Sequence, residues 1–243
     1  MKQILYISFL LLCFKGTAQT LKDCSTCSTQ IIKSAQIKNL SIDEIRLLTN
    51  EIFARNGYQF ENSRFQNYFS EKSWYKSKNN NKAVVFNETE KQNISFLQEA
   101  TKSLKTKDSE LINQLKSFKE FVLTNKTNEL KSQFGFFYEN QTGADEPKSL
   151  KEVLNKINLD NINYYKSKGL NSVMEDNGFV KIVYELSIEG ESINIYYNYT
   201  GHSKIIEGFN EFTDYHSENE YMYNWQFEFK NRKLNFIRLA VAG

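Results

Sequence analysis

Residues 180–199, VKIVYELSIEGESINIYYNY, decide the fold class. Val180, Ile182, Tyr184, Leu186 and Ile188 hold alternate positions, and Lys181, Glu185, Ser187 and Glu189 lie among the residues between them. A period of two puts the first set on one face of a β-strand. Gly190 marks a turn, after which Ile193, Ile195, Tyr197 and Tyr199 repeat the alternation. Further on, Tyr221, Tyr223, Trp225, Phe227 and Phe229 alternate with Glu220, Met222, Asn224, Gln226 and Glu228. Asn231-Arg232 is a tight-turn candidate before a last strand through Leu239. Alternating strands joined by short turns predict an antiparallel meander.

Upstream the period is helical. Leu111, Ile112, Leu115, Phe118 and Val122 mark one amphipathic helix, and Ser149 with Glu152 forms a capping box that opens another, with Leu150, Val153, Leu154 and Ile157 inward. Helices followed by a meander make residues 109–243 an α+β domain. Its element order resembles the cone-shaped fold of nuclear-transport-factor-like and SnoaL-like domains, and cystatin-like domains share nearly the same order. That resemblance is at the level of fold, and fold does not carry function.

Residues 40–105 read as a separate, small helical domain. Ser41 and Glu44 form a capping box, with Ile42, Ile45, Leu48, Ile52 and Phe53 at helical spacing and Gly57 as the stop. A short second helix is expected at 64–70, with Phe65, Tyr68 and Phe69 inward. Asn87 and Glu90 form another capping box, opening a third helix through Ile94, Leu97 and Thr101. The polar stretch 101–108, TKSLKTKD, either extends that helix or links the two halves, and the domain boundary is placed near Asp108.

Within this helical part, residues 50–60 (NEIFARNGYQF), followed by Tyr68-Phe69 and Trp74-Tyr75, resemble a YARHG domain over residues 40 to about 100. Two positions depart from the pattern: Phe53 stands for tyrosine and Asn56 for histidine. Both departures argue against acid–base chemistry there. The resemblance implies an exported bacterial envelope protein and leaves its molecular role open, because such domains occur beside peptidases and kinases. The residues themselves read as structural. Glu51 and Arg55 are spaced i, i+4 in the favourable order for a helix-surface pair. Gly57 ends the helix, Ala54 lies within the motif, and Tyr58, Phe60, Tyr68, Phe69, Trp74 and Tyr75 supply an aromatic core. The competing reading makes Arg55, Trp74 and Tyr75 the lining of a ligand groove.

The chain's N-terminus reads as targeting. Lys2 precedes an uncharged apolar run over residues 4–14 (ILYISFLLLCF), and Gly16-Thr17-Ala18 supplies small residues for cleavage after Ala18. The run is short for a bilayer span, so it is a secretory signal peptide, with lipidation at Cys13 disfavoured by Leu12 before it. Secretion to the periplasm or beyond follows. Lys2 and Lys15 fall in this leader, leaving 29 of the chain's 31 basic residues against 29 acidic ones. With no basic block remaining, a nucleic-acid partner is excluded, and no later apolar run is long enough for a transmembrane span. Residues 19–39 read as a flexible lead-in whose one feature is Cys24-Ser25-Thr26-Cys27. In an oxidising compartment that spacing suggests a local disulfide, and no second C-x-x-C accompanies it to hold a metal.

Catalytic signals are missing. The chain contains no G-x-S-x-G, no glycine-rich phosphate loop and no H-E-x-x-H, and its two histidines, His202 and His216, read as exposed loop residues. No catalytic residue, metal or cofactor is assigned. The expected function is a non-catalytic envelope module that binds a cell-wall glycan, a peptide or a partner protein. The alternative is a small-ligand pocket or enzyme on the concave face of the second domain, with Tyr184, Tyr197 and Asp176 as conceivable players.

Overall fold

The structure, a computed structural model, describes residues 20–139, 145–202 and 217–243, with the side chains of 202 and 217–219 left out. The leader of residues 1–18, Cys13 and His216 lie outside the described residues. The chain divides into two compact units. The first comprises residues up to Asn39 and Leu48–Ile94, the second Leu40–Leu47 and Ser95–Gly243.

Helices α1 (Ser34–Ile37), α2 (Ile42–Arg55) and α3 (Ser63–Ser70) come first, followed by a 3-10 turn at Asn81–Ala83. Helix α2 starts on the capping box read from sequence. The Ser41 N–H donates to Glu44 Oε2 at 2.8 Å, and the Glu44 N–H donates to Ser41 Oγ at 3.2 Å. It stops at Gly57, whose φ of +82° only glycine adopts cheaply. There the Tyr58 N–H reaches Phe53 O at 3.1 Å and the Gly57 N–H reaches Ala54 O at 2.9 Å, a Schellman closure.

Helix α4 (Glu88–Leu123) opens on the other capping box: the Asn87 N–H donates to Glu90 Oε2 and the Glu90 N–H to Asn87 Oδ1, both at 2.9 Å. It runs unbroken through 101–108. That segment has no glycine or proline, and its lysines and leucine favour helix. Thr101, Thr106 and Ser109 each donate a hydroxyl to the carbonyl four residues back, so their polarity does not break the helix. The amphipathic pattern at 111–122 is therefore the second half of this helix and not a separate element. Among residues 98–110 of the helix none is buried.

The second unit continues with α5 (Thr127–Phe134) and α6 (Glu146–Lys156). Helix α6 corrects the sequence reading, because Ser149 lies inside it and caps nothing. Asp145 is the N-cap, its carboxylate accepting from the Lys148 N–H at 3.0 Å, with Pro147 in the first turn. An aspartate followed by a first-turn proline is the stronger start signal.

Among the described residues six strands complete the unit: β1 (Asn163–Tyr165), β2 (Lys168–Asp176), β3 (Val180–Glu189), β4 (Ser192–His202), β5 (Ser217–Lys230) and β6 (Lys233–Ala242). They form one antiparallel sheet in the order β1-β2-β3-β4-β5-β6, so the domain is α+β. Across β4 and β5 the register pairs Ile193 with Phe227, Ile195 with Trp225, Tyr197 with Tyr223 and Tyr199 with Tyr221. These inward residues join Leu115, Phe118 and Val122 of α4, Leu130 and Phe134 of α5, and Leu150 and Val153 of α6 in one core. Asn231 and Arg232, with φ of +50° and +62°, form the two-residue hairpin between β5 and β6. The short strand β1 and the nine-residue β2, like α5, carry no clear period, and the sequence reading placed no element there.

Candidate functional site

The motif residues of the first unit gather around Arg55. Its Nε and Nη2 both donate to Glu51 Oε1, at 2.9 and 2.6 Å. The guanidinium carbon sits 4.2 Å from the centroid of the Trp74 ring. A planar cation on an indole face gains from the ring quadrupole. The pair is not the exposed surface bridge that i, i+4 spacing suggests: Glu51 is buried, only 8% exposed, while Trp74 is 36% exposed. Arg55 is thus fixed on one edge by a buried carboxylate and on one face by an indole. Its Nη1 makes no hydrogen bond among the described residues.

Tyr75 lies nearby, and its hydroxyl is already used. It donates to Tyr58 O at 2.8 Å and so ties the segment after α3 to the segment after α2. Phe60 stacks on Phe69 at 5.2 Å, and Phe69 touches Trp74 and Tyr75. Phe69 and Phe60 are buried, whereas Tyr68, expected inward, is 40% exposed and lies edge-on to Phe69. The aromatic core is therefore Phe60 and Phe69, with Tyr58, Trp74 and Tyr75 around them.

On another side of Arg55 lies a cavity of about 270 Å³, lined by Cys24, Cys27, Arg55, Asn56 and Glu90 among others. Asn56, at the family's histidine position, donates its amide to Ile52 O at 3.0 Å and to Glu90 Oε1 at 2.8 Å. The other oxygen of Glu90 accepts the capping N–H of Asn87. One carboxylate thereby caps α4 and also anchors the end of α2. Phe53, at the tyrosine position, packs edge-on against Tyr58 and Phe86.

The cysteine segment is part of this arrangement. Cys24 and Cys27 are disulfide-bonded and buried. Asn93, with no exposed surface, accepts from the Ile32 N–H at 2.8 Å and donates to Cys27 O and Gln30 O, both at 2.8 Å. The backbone at residues 27, 30 and 32 is thus held by a helix side chain, within the stretch for which the sequence suggested a flexible lead-in. Ser25, which hydrogen-bonds to Asp23, holds that carboxyl below its usual range, and the charge of Arg55 adds to the effect.

Residues 23–102 match the YARHG domain. The match begins ahead of the cysteines, so the YARHG segment includes the disulfide and its Asn93 anchor as well as the Arg55 motif. No curated protein and no solved structure matches the chain. Sequence reasoning singled out Arg55, Trp74 and Tyr75 but missed Asn56, Glu90 and Asn93 as site residues. The Asn87–Glu90 capping box was the one available signal, since it placed Glu90 at the start of α4.

Tyr184 and Tyr197 in the second unit meet at 5.7 Å and are both almost fully buried. Burial, with Glu175 adding to it, pushes the Tyr184 phenol up to about 12, and burial drives Tyr197 up as well. Phenols so shifted stay protonated and cannot act as bases near neutral pH. Asp176 is not brought to them. It pairs with Lys181 in the register and accepts from the Gly178 N–H at the turn. Among the described residues no cluster of three or more His, Cys, Asp or Glu could hold a metal, and no helix is long and apolar enough to cross a membrane.

Proposed function

We propose that this chain is an exported, non-catalytic envelope module whose YARHG segment binds a cell-wall glycan, a peptide or a partner protein beside Arg55. The signal-like leader and the YARHG match support export. The observation that carries the binding reading is the state of Arg55. Its guanidinium is immobilised by buried Glu51 and by Trp74, and it borders a polar cavity with Nη1 uncommitted among the described residues. An arginine held in this way loses little entropy on meeting a ligand, so its free donors bind at low cost. The half-exposed indole extends the surface for a sugar ring or an apolar side chain.

The test is retention of the chain lacking residues 1–18 on purified cell-wall sacculi and on immobilised envelope extract. Arg55→Lys keeps the charge but loses the planar fork, so retention should fall by about tenfold or more, as for loss of a charge-assisted hydrogen bond. Trp74→Ala should weaken it too. Full retention by a folded Arg55→Lys variant would leave Arg55 a structural residue and sink the proposal.

A further inference from the structure

A second cavity, of about 310 Å³, lies wholly within the second unit, between α4 and the segment leading into β1. Asp108 and Ile112 line it from the helix, and Leu159, Asp160, Ile162 and Tyr164 from the other side. Ile112, Leu159 and Ile162 supply an apolar wall, Ser109 and Asn113 add neutral polar groups, and the charged groups in the lining are both acidic, so it has the makings of a site for a ligand with an aliphatic stem and a positive end.

Asp108 is half-buried and makes no hydrogen bond or ion pair among the described residues. The one positive charge acting on it is Lys107, its neighbour on the same helix. Asp160 differs, because its carboxylate pairs with Lys116. Tyr164 is held by the sheet. It pairs with Gly169 in the register, and a Cβ at Gly169 would come within 2.8 Å of Tyr164 Cε1. The ring therefore lies against bare backbone, yet Tyr164 remains 47% exposed. A seated aromatic face beside an uncompensated carboxylate is the pair of groups that recognises an ammonium ion.

The electrostatics agree with that geometry. Burial lifts the Asp108 carboxyl above its usual range, with Lys107 only partly offsetting it. Burial and then the Asp108 charge push the Tyr164 phenol up to about 12. Both shifts come chiefly from burial, and the Asp108 charge adds to that of Tyr164.

We propose that this cavity binds a primary alkylammonium group, its stem on Ile112, Leu159 and Ile162 and its charge between the Asp108 carboxylate and the Tyr164 ring. The cavity is at the small end of ligand sites and suits a lysine-sized stem. The site is independent of the Arg55 cavity, so either reading can fail alone.

The experiment is an NMR titration of the whole chain with n-butylammonium chloride. Neutral n-butanol is the isostere, and potassium chloride controls for ionic strength. Butylammonium should shift the Asp108 and Tyr164 signals saturably and bind at least about tenfold more tightly than butanol. Asp108→Asn, which keeps shape and removes charge, should lower that affinity by about tenfold, and Tyr164→Leu by a few-fold. Binding should also fade as pH drops through the raised Asp108 value; the other charged groups around it are Lys107 and the Asp160–Lys116 pair. Nα-acetyl-lysinamide distinguishes the source: tighter binding than butylammonium points to a lysine in a polypeptide, equal or weaker binding to a free amine, and both uphold the site. Equal responses to butanol and butylammonium, or undiminished binding by a folded Asp108→Asn variant, would overturn it.

Discussion

Asn93 is the side chain on which the order of the cysteine segment depends, and replacing it has a calculable cost. Its amide makes three hydrogen bonds to the backbone of residues 27–32, each at 2.8 Å, and the residue has no exposed surface. A typical hydrogen bond contributes about 1 kcal/mol net, and a buried partner left unsatisfied costs about 1–3 kcal/mol. Asn93→Ala orphans one N–H and two carbonyls, and partial rehydration of the carbonyls limits the total to about 3–5 kcal/mol. A unit this small holds only a few kcal/mol of stability, so the loss should unfold it at physiological temperature. Asn93→Asp sharpens the test. It preserves shape and the acceptor for Ile32 but faces Cys27 O and Gln30 O with oxygen instead of N–H. It should be no more stable than the alanine variant near neutral pH, and should recover somewhat in acid once the carboxyl is protonated. Urea denaturation followed by tryptophan fluorescence reads the stability, and amide exchange at Ile32 reads the local anchor. A loss below about 1 kcal/mol for Asn93→Ala, with Ile32 still protected, would show that the segment is held by other means.

Gly57→Ala should cost about 2–4 kcal/mol, since φ is +82° and the new Cβ would lie 2.9 Å from Lys76 O; thermal melting checks it. Replacing both Cys24 and Cys27 by alanine removes a very short closed loop, so the chain-entropy estimate is only about 2 kcal/mol, measurable by denaturation beside the oxidised parent. Asp108 has its carboxyl raised in the folded chain, so its contribution favours folding in acid and is lost as pH rises from the ordinary carboxylate value through the raised one. Asp108→Asn should therefore melt higher than the parent at pH 7 and close to it in acid, and a lower melting temperature at pH 7 would contradict the assignment. Limited proteolysis tests the two-domain division read from sequence: a stable C-terminal fragment should begin between about residues 100 and 112, next to the stretch 98–110 in which the helix buries no side chain.

What could be read from the sequence was whatever is decided within a few residues. The Ser41–Glu44 and Asn87–Glu90 boxes span one helical turn, Gly57 acts on its own dihedral, and alternation along 180–199 needs only a strand's length. Each is a local competition that a short window contains. The continuity of α4 was legible in principle, because Leu97, Leu104 and Leu111 are seven residues apart and keep one helical phase through a stretch whose polarity resembles a linker. The start of α6 was likewise signalled by Asp145 and Pro147, outweighed in the reading by a box that the structure does not use. The Arg55 site is different in kind. Spacing alone makes Glu51–Arg55 a surface bridge worth little. It becomes a buried, stacked arrangement only because Trp74, nineteen positions further on, is brought back by a turn that Tyr75 and Gly57 hold in place. Asn93 reaches across more than sixty residues to the cysteine turn, and no periodic pattern records such a contact. The two cavities follow the same rule: each combines a helix face, which a pattern can locate, with a loop whose path is set by long-range hydrogen bonds. The side chains that define them, Asn56, Glu90, Asp108 and Tyr164, are ordinary polar residues until the fold gives them neighbours.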